Sequence, residues 1–122
     1  MYQLGATYTR EDIHAGTGGS KQACLLTKDS MTVGVCFVPR MNPRGPNVIL
    51  VGRGPMKQRA AELLAEYGNA VPVFKKRKTN AWEFLGNFKA TRYLTSVSEV
   101  ASYVEGSSRT DVAGVLLLET VK

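Results

Sequence analysis

The chain has 122 residues, 43% hydrophobic and 21% charged, which is the size of one ordinary domain able to bury a core without metal or disulfide staples. No run of about 18 apolar residues exists, which excludes a transmembrane helix, and Met1-Tyr2-Gln3-Leu4-Gly5 lacks the basic and apolar regions of a secretory signal. The formal charge of +6 sits in one segment, since Ser30 to Trp82 carries nine Lys/Arg against Glu62 and Glu66 while the remainder is close to neutral.

Taken in chain order, Tyr8 to Ile13 opens a short helix that Thr9 can cap, with Asp12 three residues on, close to the capping-box pattern. Gly16, Gly18 and Gly19 end it. Ala23 to Leu26 and Met31 to Val38 read as strands, the second rich in β-branched residues. Pro39 to Asn47 is a loop, and Val48 to Val51, apolar without alternation, reads as a central strand. After the turn Gly52-Arg53-Gly54-Pro55, the positions Met56, Ala60, Leu63, Leu64 and Tyr67 place one apolar face on a helix that Gly68 or Asn69 stops. Val71 to Phe74 is a strand, placed at an edge because of Pro72. Lys75 to Asn80 reads as a basic turn, and Trp82 to Ala90 alternates like a half-buried strand, so Trp82, Phe84 and Phe88 read first as core. Ser96 and Glu99 start a helix to about Val104, Gly106 to Thr110 is a loop, and Val112 to Glu119 is the last strand. This order of elements predicts an α+β fold with a mixed, strongly curved sheet.

Catalytic chemistry is hard to build from these residues. His14 is the single histidine, no CxxC pair, HExxH or histidine cluster exists, and Gly16 to Lys21 lacks the Walker A spacing. Cys24 and Cys36 lie in apolar runs and read as small buried hydrophobes of a reducing cytoplasm; a disulfide would require the two runs to pair side by side. What remains is binding chemistry. Arginine forks suit phosphate, glycine-rich backbone can approach it, and the segregated charge suits a polyanion if the fold gathers it on one face.

The segment Tyr8-Thr9-Arg10-Glu11-Asp12-Ile13-His14 followed by Gly18-Gly19-Ser20-Lys21-Gln22 resembles the opening motif of the YDG/SRA-type and sulfur-binding domains that accompany HNH restriction endonucleases. The helix ending in Gly68-Asn69, the strand at Val73-Phe74 and the aromatic–x–aromatic–x–Gly–x–Phe run from Trp82 to Phe88 extend the likeness, which covers Tyr8 to Tyr93. The resemblance implies a PUA-like fold, a curved β pseudobarrel flanked by two or three helices, with a concave surface that cradles a duplex. It also implies a reader of modified DNA, carrying methylated bases or phosphorothioate linkages. The Tyr-Asp-Gly signature of the methyl-base readers is absent, which counts against a flipped-base pocket. A sulfur-type reader would need a small apolar depression beside cations, which the loop Arg40 to Pro46 has the residues to build.

The expectation is therefore a single PUA-like domain over residues 1–122 that binds nucleic acid, DNA before RNA, without catalysis, metal, cofactor or membrane. Arg10, Lys21, Arg40, Arg44, Arg53, Lys57 and Arg59 would contact phosphates, joined by Lys75, Lys76, Arg77 and Lys78, while His14, Gly18, Gly19 and Gln22 would shape the groove floor. Any cleavage would require a separate nuclease chain. RNA binding on the same fold, or a protein-interaction or small-ligand module, are the alternatives, and a homodimer through an edge strand is compatible with the pattern.

Overall fold

In the computed structural model, which describes residues 2–121, the elements run β1 (Thr7–Tyr8), α1 (Arg10–Thr17), β2 (Leu25–Lys28), β3 (Met31–Phe37), β4 (Val48–Gly52), α2 (Pro55–Tyr67), β5 (Val71–Lys78), β6 (Ala81–Leu94), α3 (Val97–Val104) and β7 (Val112–Thr120). One sheet has the order β2-β3-β5-β6-β7-β4, with β1 added against β6. The β3–β5 pair is parallel and the other pairs are antiparallel.

The 14-residue β6 organises this sheet. Its first half pairs with β5 as far as Phe88, and its second half pairs with β7 from Phe88 to Leu94. Register shifts at Val73/Phe74 and Ala90/Arg92, together with Gly86 at a φ of 119°, bend the strand where it changes partner. The sheet consequently coils into a half-barrel of PUA-like, α+β architecture.

Alternation along the strands then sorts side chains cleanly. Val35, Phe37, Val71, Val73, Phe88, Ala90, Ile49, Val51, Leu116 and Leu118 face inward, and α2 fills the hollow with Ala60, Ala61 and Leu64. On the outer face, Cys36, Phe74, Trp82 and Phe84 pack under α1 through Ile13. Val48, Leu50, Leu94 and Val115 pack on the outer face under Val100, Tyr103 and Val104 of α3. Trp82, Phe84 and Phe88 are thus core residues, each at most 7% exposed.

Local chemistry explains the helix ends. Thr9 Oγ1 accepts from Asp12 N at 3.0 Å and Asp12 Oδ2 accepts from Thr9 N at 3.2 Å, a complete capping box, and Gly18 closes α1 in the left-handed region at a φ of 72°. Ser96 Oγ accepts from Glu99 N at 3.3 Å and caps α3.

Several expectations need correction. Val48–Val51 is buried on both faces but ends the hydrogen-bonded path, because α2 covers one side of β4 and α3 the other. The strand containing Pro72 lies between β3 and β6; β3 begins to pair with it only at Val73, so the missing N–H of Pro72 falls at the margin of that ladder. Lys75 to Lys78 belong to β5, and the turn is confined to Thr79-Asn80. Met56 and Tyr67, placed on the apolar face of α2, are 84% and 58% exposed, since the helix meets the sheet along its middle turns only. β2 begins at Leu25, and α1 continues past Gly16 to Thr17.

Replacing Thr9 by Ala removes the side-chain acceptor of the α1 capping box. Urea denaturation should show a loss of about 1 kcal/mol, with the m-value unchanged.

Candidate functional site

The half-barrel does not close. β2 and β4 are the two ends of the hydrogen-bonded path, and between them lies a cavity of about 610 Å³, lined by β2, β4, the start of α2 and the outer cluster around Trp82. The volume falls within the roughly 300–1,000 Å³ of ordinary ligand pockets. Its walls are mainly apolar, formed by Cys24, Leu25, Cys36, Ile49, Leu50 and Val51, and its rim is cationic, with Lys21, Lys57 and Lys76.

An arginine stands on each side of the opening, one bonded to the loop that leads into β2 and one to β4 itself. On the β2 side, Arg10 Nη2 donates to Ser20 O at 3.1 Å and to Ala23 O at 3.0 Å, with the guanidinium 5.1 Å from the Trp82 ring centroid. Lys76 Nζ lies 5.7 Å from the same ring, so two cations share one buried indole. On the β4 side, Arg109 Nη1 donates to Leu50 O at 3.0 Å and Met41 O at 3.4 Å, and its Nε and Nη2 grip Asp111 at 3.0 Å each. This hydrogen bond from Arg109 is the main cause that holds the Asp111 carboxyl below the ordinary carboxylate value. The sign follows from linkage: the contribution of the pair is complete above that ordinary value and fades as pH falls through the lowered one. Beside it, Asn42 is 4% exposed and its Oδ1 accepts from Leu50 N at 2.7 Å, which satisfies an edge amide.

The N-terminus of α2 opens on the same rim. Gly54 makes no side-chain cap, Pro55 occupies the first position, and no acidic residue stands in the first turn. The free amides there favour an anion, and the side chains of Met56 and Lys57 border the cavity.

Of the residues singled out from sequence, Arg10, Lys21, Gln22, Lys57 and Lys76 meet at this cavity. Arg10 does so with its Nη2 already bonded to two carbonyls. His14, Gly18 and Gly19 do not reach it: His14 Nδ1 bonds Gly19 O, Lys28 lies over Gly18, and a Cβ on Gly19 would sit 2.7 Å from Leu26 Cβ. They build the turn that seats α1 on β2 and β3 rather than a groove floor. Arg40 is exposed in the β3–β4 loop. Arg44 leans the other way, 4.9 Å over the Tyr103 ring of α3. Arg53 borders a separate groove of about 430 Å³ beside α3, and Arg59 pairs with Glu62 at 3.3 Å and Glu66 at 3.9 Å. Lys75 and Lys78 lie outside the cavity wall, and Arg77 is bonded to Glu83.

Sequence reasoning missed Arg109 and Asn42. Both act on β4 from loops, and the only local signal was the Arg109-Thr110-Asp111 spacing that makes the bidentate pair.

The two cysteines do stand side by side in backbone, with Cys36 N donating to Cys24 O at 2.8 Å, yet both are free. Cys24 packs against the inner cluster and Cys36 belongs to the outer one. Burial pushes the Cys24 thiol up to about 11 and the Cys36 thiol up to about 12. Among the described residues no group of three His, Cys, Asp or Glu could hold a metal ion, and no helix is long and apolar enough to cross a membrane.

The same overall fold occurs in known structures. The SRA domain of SUVH5, solved with hemimethylated CG DNA, superposes with a TM-score of 0.69 at 13% identity, covering 98% of this chain and 89% of that one. The fold is that of an SRA domain. A structure of the sulfur binding domain and SRA domain of ScoMcrA, complexed with phosphorothioated DNA, is similar at a TM-score of 0.55 and 17% identity. In that case the match covers 98% of this chain and spans 40% of the ScoMcrA chain. No protein family model and no curated protein matches the sequence.

Two outcomes test this description of the site. Arg109→Ala should lower stability by about 2–3 kcal/mol in urea denaturation, because the Leu50 carbonyl and the Asp111 carboxylate both lose a charged donor. In the native protein near neutral pH, iodoacetamide should alkylate Cys24 and Cys36 slowly, and mass spectrometry should show both labelled rapidly once urea unfolds the chain.

Proposed function

We propose that this chain is a DNA-reading domain that holds duplex DNA against the rim formed by Lys21, Lys57, Lys76 and the start of α2, and receives a modified nucleotide in the cavity between β2 and β4. The observation that carries the reading is the cavity itself. It is apolar inside and cationic outside, and it lies at the open seam of a fold whose two structural neighbours were solved with methylated and with phosphorothioated DNA. A nucleotide extruded from its stack needs such a lined recess, and the phosphates on either side need cations at its mouth. The cavity exists without the Tyr-Asp-Gly signature, so the absence of that motif does not remove the recess.

Arg10 and Arg109 support this surface by fixing the seam, while the three lysines supply free charge. Arg40 and Arg53 are exposed outside the cavity and add to the positive field felt by a long duplex. The reading assigns binding and no catalysis to this chain. A nuclease acting on the same DNA would lie outside these 122 residues.

The test is fluorescence anisotropy at two salt concentrations, with one duplex in unmodified, 5-methylcytosine and phosphorothioate forms and a matched RNA duplex beside them. Salt-sensitive binding that favours one modified DNA form is expected. Each lysine that neutralises a phosphate adds about 0.9 to the slope of log affinity against log salt, so Lys57→Ala combined with Lys76→Ala should flatten that slope by roughly 1.8. Equal binding to all four probes would reduce the site to a general polyanion surface, and preference for RNA would reassign the partner.

A further inference from the structure

The cations around the cavity fall into two sets. Lys21 and Lys57 are exposed at its mouth, whereas Arg10 and Lys76 are half-buried in its wall, on either side of Trp82. The Arg10 guanidinium lies 5.1 Å and Lys76 Nζ 5.7 Å from the centroid of that ring, which is itself 7% exposed. Among the described residues neither cation pairs with a carboxylate, and no Asp or Glu lines the cavity. The acids nearest in sequence are engaged elsewhere: Glu11 Oε1 accepts from Asn80 Nδ2 at 3.1 Å, Asp12 Oδ2 accepts from Thr9 N at 3.2 Å, and Glu83 holds Arg77. Arg10 itself bonds only neutral carbonyls, both through Nη2. Its Nε is buried without an acceptor, and its Nη1, also without a protein acceptor, is not buried.

Two like charges held in a partly desolvated wall repel one another, and the face of one indole offsets only part of that cost. An oxyanion between them would offset the rest, and a guanidinium with free donors suits phosphate. We infer that Arg10, Lys76 and Trp82 form a phosphate subsite in the cavity wall, filled by the 5′-phosphate of the nucleotide that occupies the recess. The inference rests on the reading of the cavity as a nucleotide recess given above. It adds a division of labour: Lys21 and Lys57 at the mouth face the backbone of the stacked duplex, and the inner pair seats the phosphate of the guest. With that phosphate on the Trp82 side, the sugar and base are left to the apolar stretch Ile49 to Val51 of β4.

Trp82 is the single tryptophan of the chain, so its emission reports on this subsite alone. The experiment titrates the protein, without DNA, with inorganic phosphate, a deoxynucleoside 5′-monophosphate and the same deoxynucleoside lacking phosphate, at constant ionic strength. A saturable change in Trp82 emission is expected with the first two, at lower concentration for the nucleotide, and none with the nucleoside. Lys76→Met should weaken both responses about tenfold, the scale of one hydrogen bond to a charged group. Arg10→Lys, which keeps a charge but loses the fork, should weaken them too. Lys75→Ala removes one charge outside the cavity wall and should leave both unchanged. Equal affinity for phosphate and nucleotide overturns the assignment of the subsite to the guest, and a response that Lys76→Met leaves unchanged overturns the subsite. Salt-sensitive DNA binding without any response of Trp82 to phosphate or nucleotide also overturns the subsite and leaves the DNA-reading proposal standing. A nucleotide response in a protein that binds no DNA supports the subsite and removes that proposal instead.

Discussion

Two guanidinium groups stand where two strands fail to meet. β2 and β4 are the free ends of a sheet that coils through most of a barrel, and an arginine binds backbone carbonyls on each side, in the loop before β2 and on and beside β4. Arg10 takes Ser20 O and Ala23 O on one side, and Arg109 takes Leu50 O and Met41 O on the other. Had the edges paired with one another, the barrel would be closed and the cavity lost. Everything assigned to the site depends on this seam being stable while open.

The seam in turn depends on β6. One strand that pairs with β5 along its first half and β7 along its second must bend at the exchange, and Gly86 and the shift at Ala90/Arg92 allow it. The bend wraps both halves around α2, whose alanines let the helix approach the inner face closely. The first turn of α2 then emerges beside the seam, which brings uncapped amides and Lys57 to the cavity mouth. The same seam bears on association. Both outer edges of the main sheet border the recess, so a homodimer built by strand addition there would cover it.

Local chemistry was readable from the chain, and long-range chemistry was not. The Thr9 capping box, the Gly18 stop, the Ser96 cap and the alternation of Trp82, Phe84 and Phe88 are patterns within a few residues of sequence, and each stands in the fold as read. The resemblance carried by Tyr8 to His14 and by Trp82 to Phe88 pointed to the half-barrel itself. Lys75 to Lys78 looked like a turn because four consecutive cations suit solvent; in β5 they sit opposite β6, where Glu83 pairs with Arg77 and Trp82 stacks under Lys76. Charge counting likewise could not separate Lys57 and Lys76 at the seam from Arg59 on the far side of α2, bound to its own glutamates. Arg109 and Asn42 escaped because their partners lie far along the chain or act through backbone atoms, which leave no mark on residue type.

The seam also gives the molecule a mechanical property. A closed barrel has its bore fixed by strand number and stagger, whereas this one is a split ring in which no strand pairing joins β2 to β4 and α2, packed against both, holds the two ends. The distance between its ends is set by packing on that helix and by no ladder of backbone hydrogen bonds. A clasp of that sort lets one scaffold be refitted to guests of different bulk by substitutions at the gap alone, leaving the rest of the core untouched.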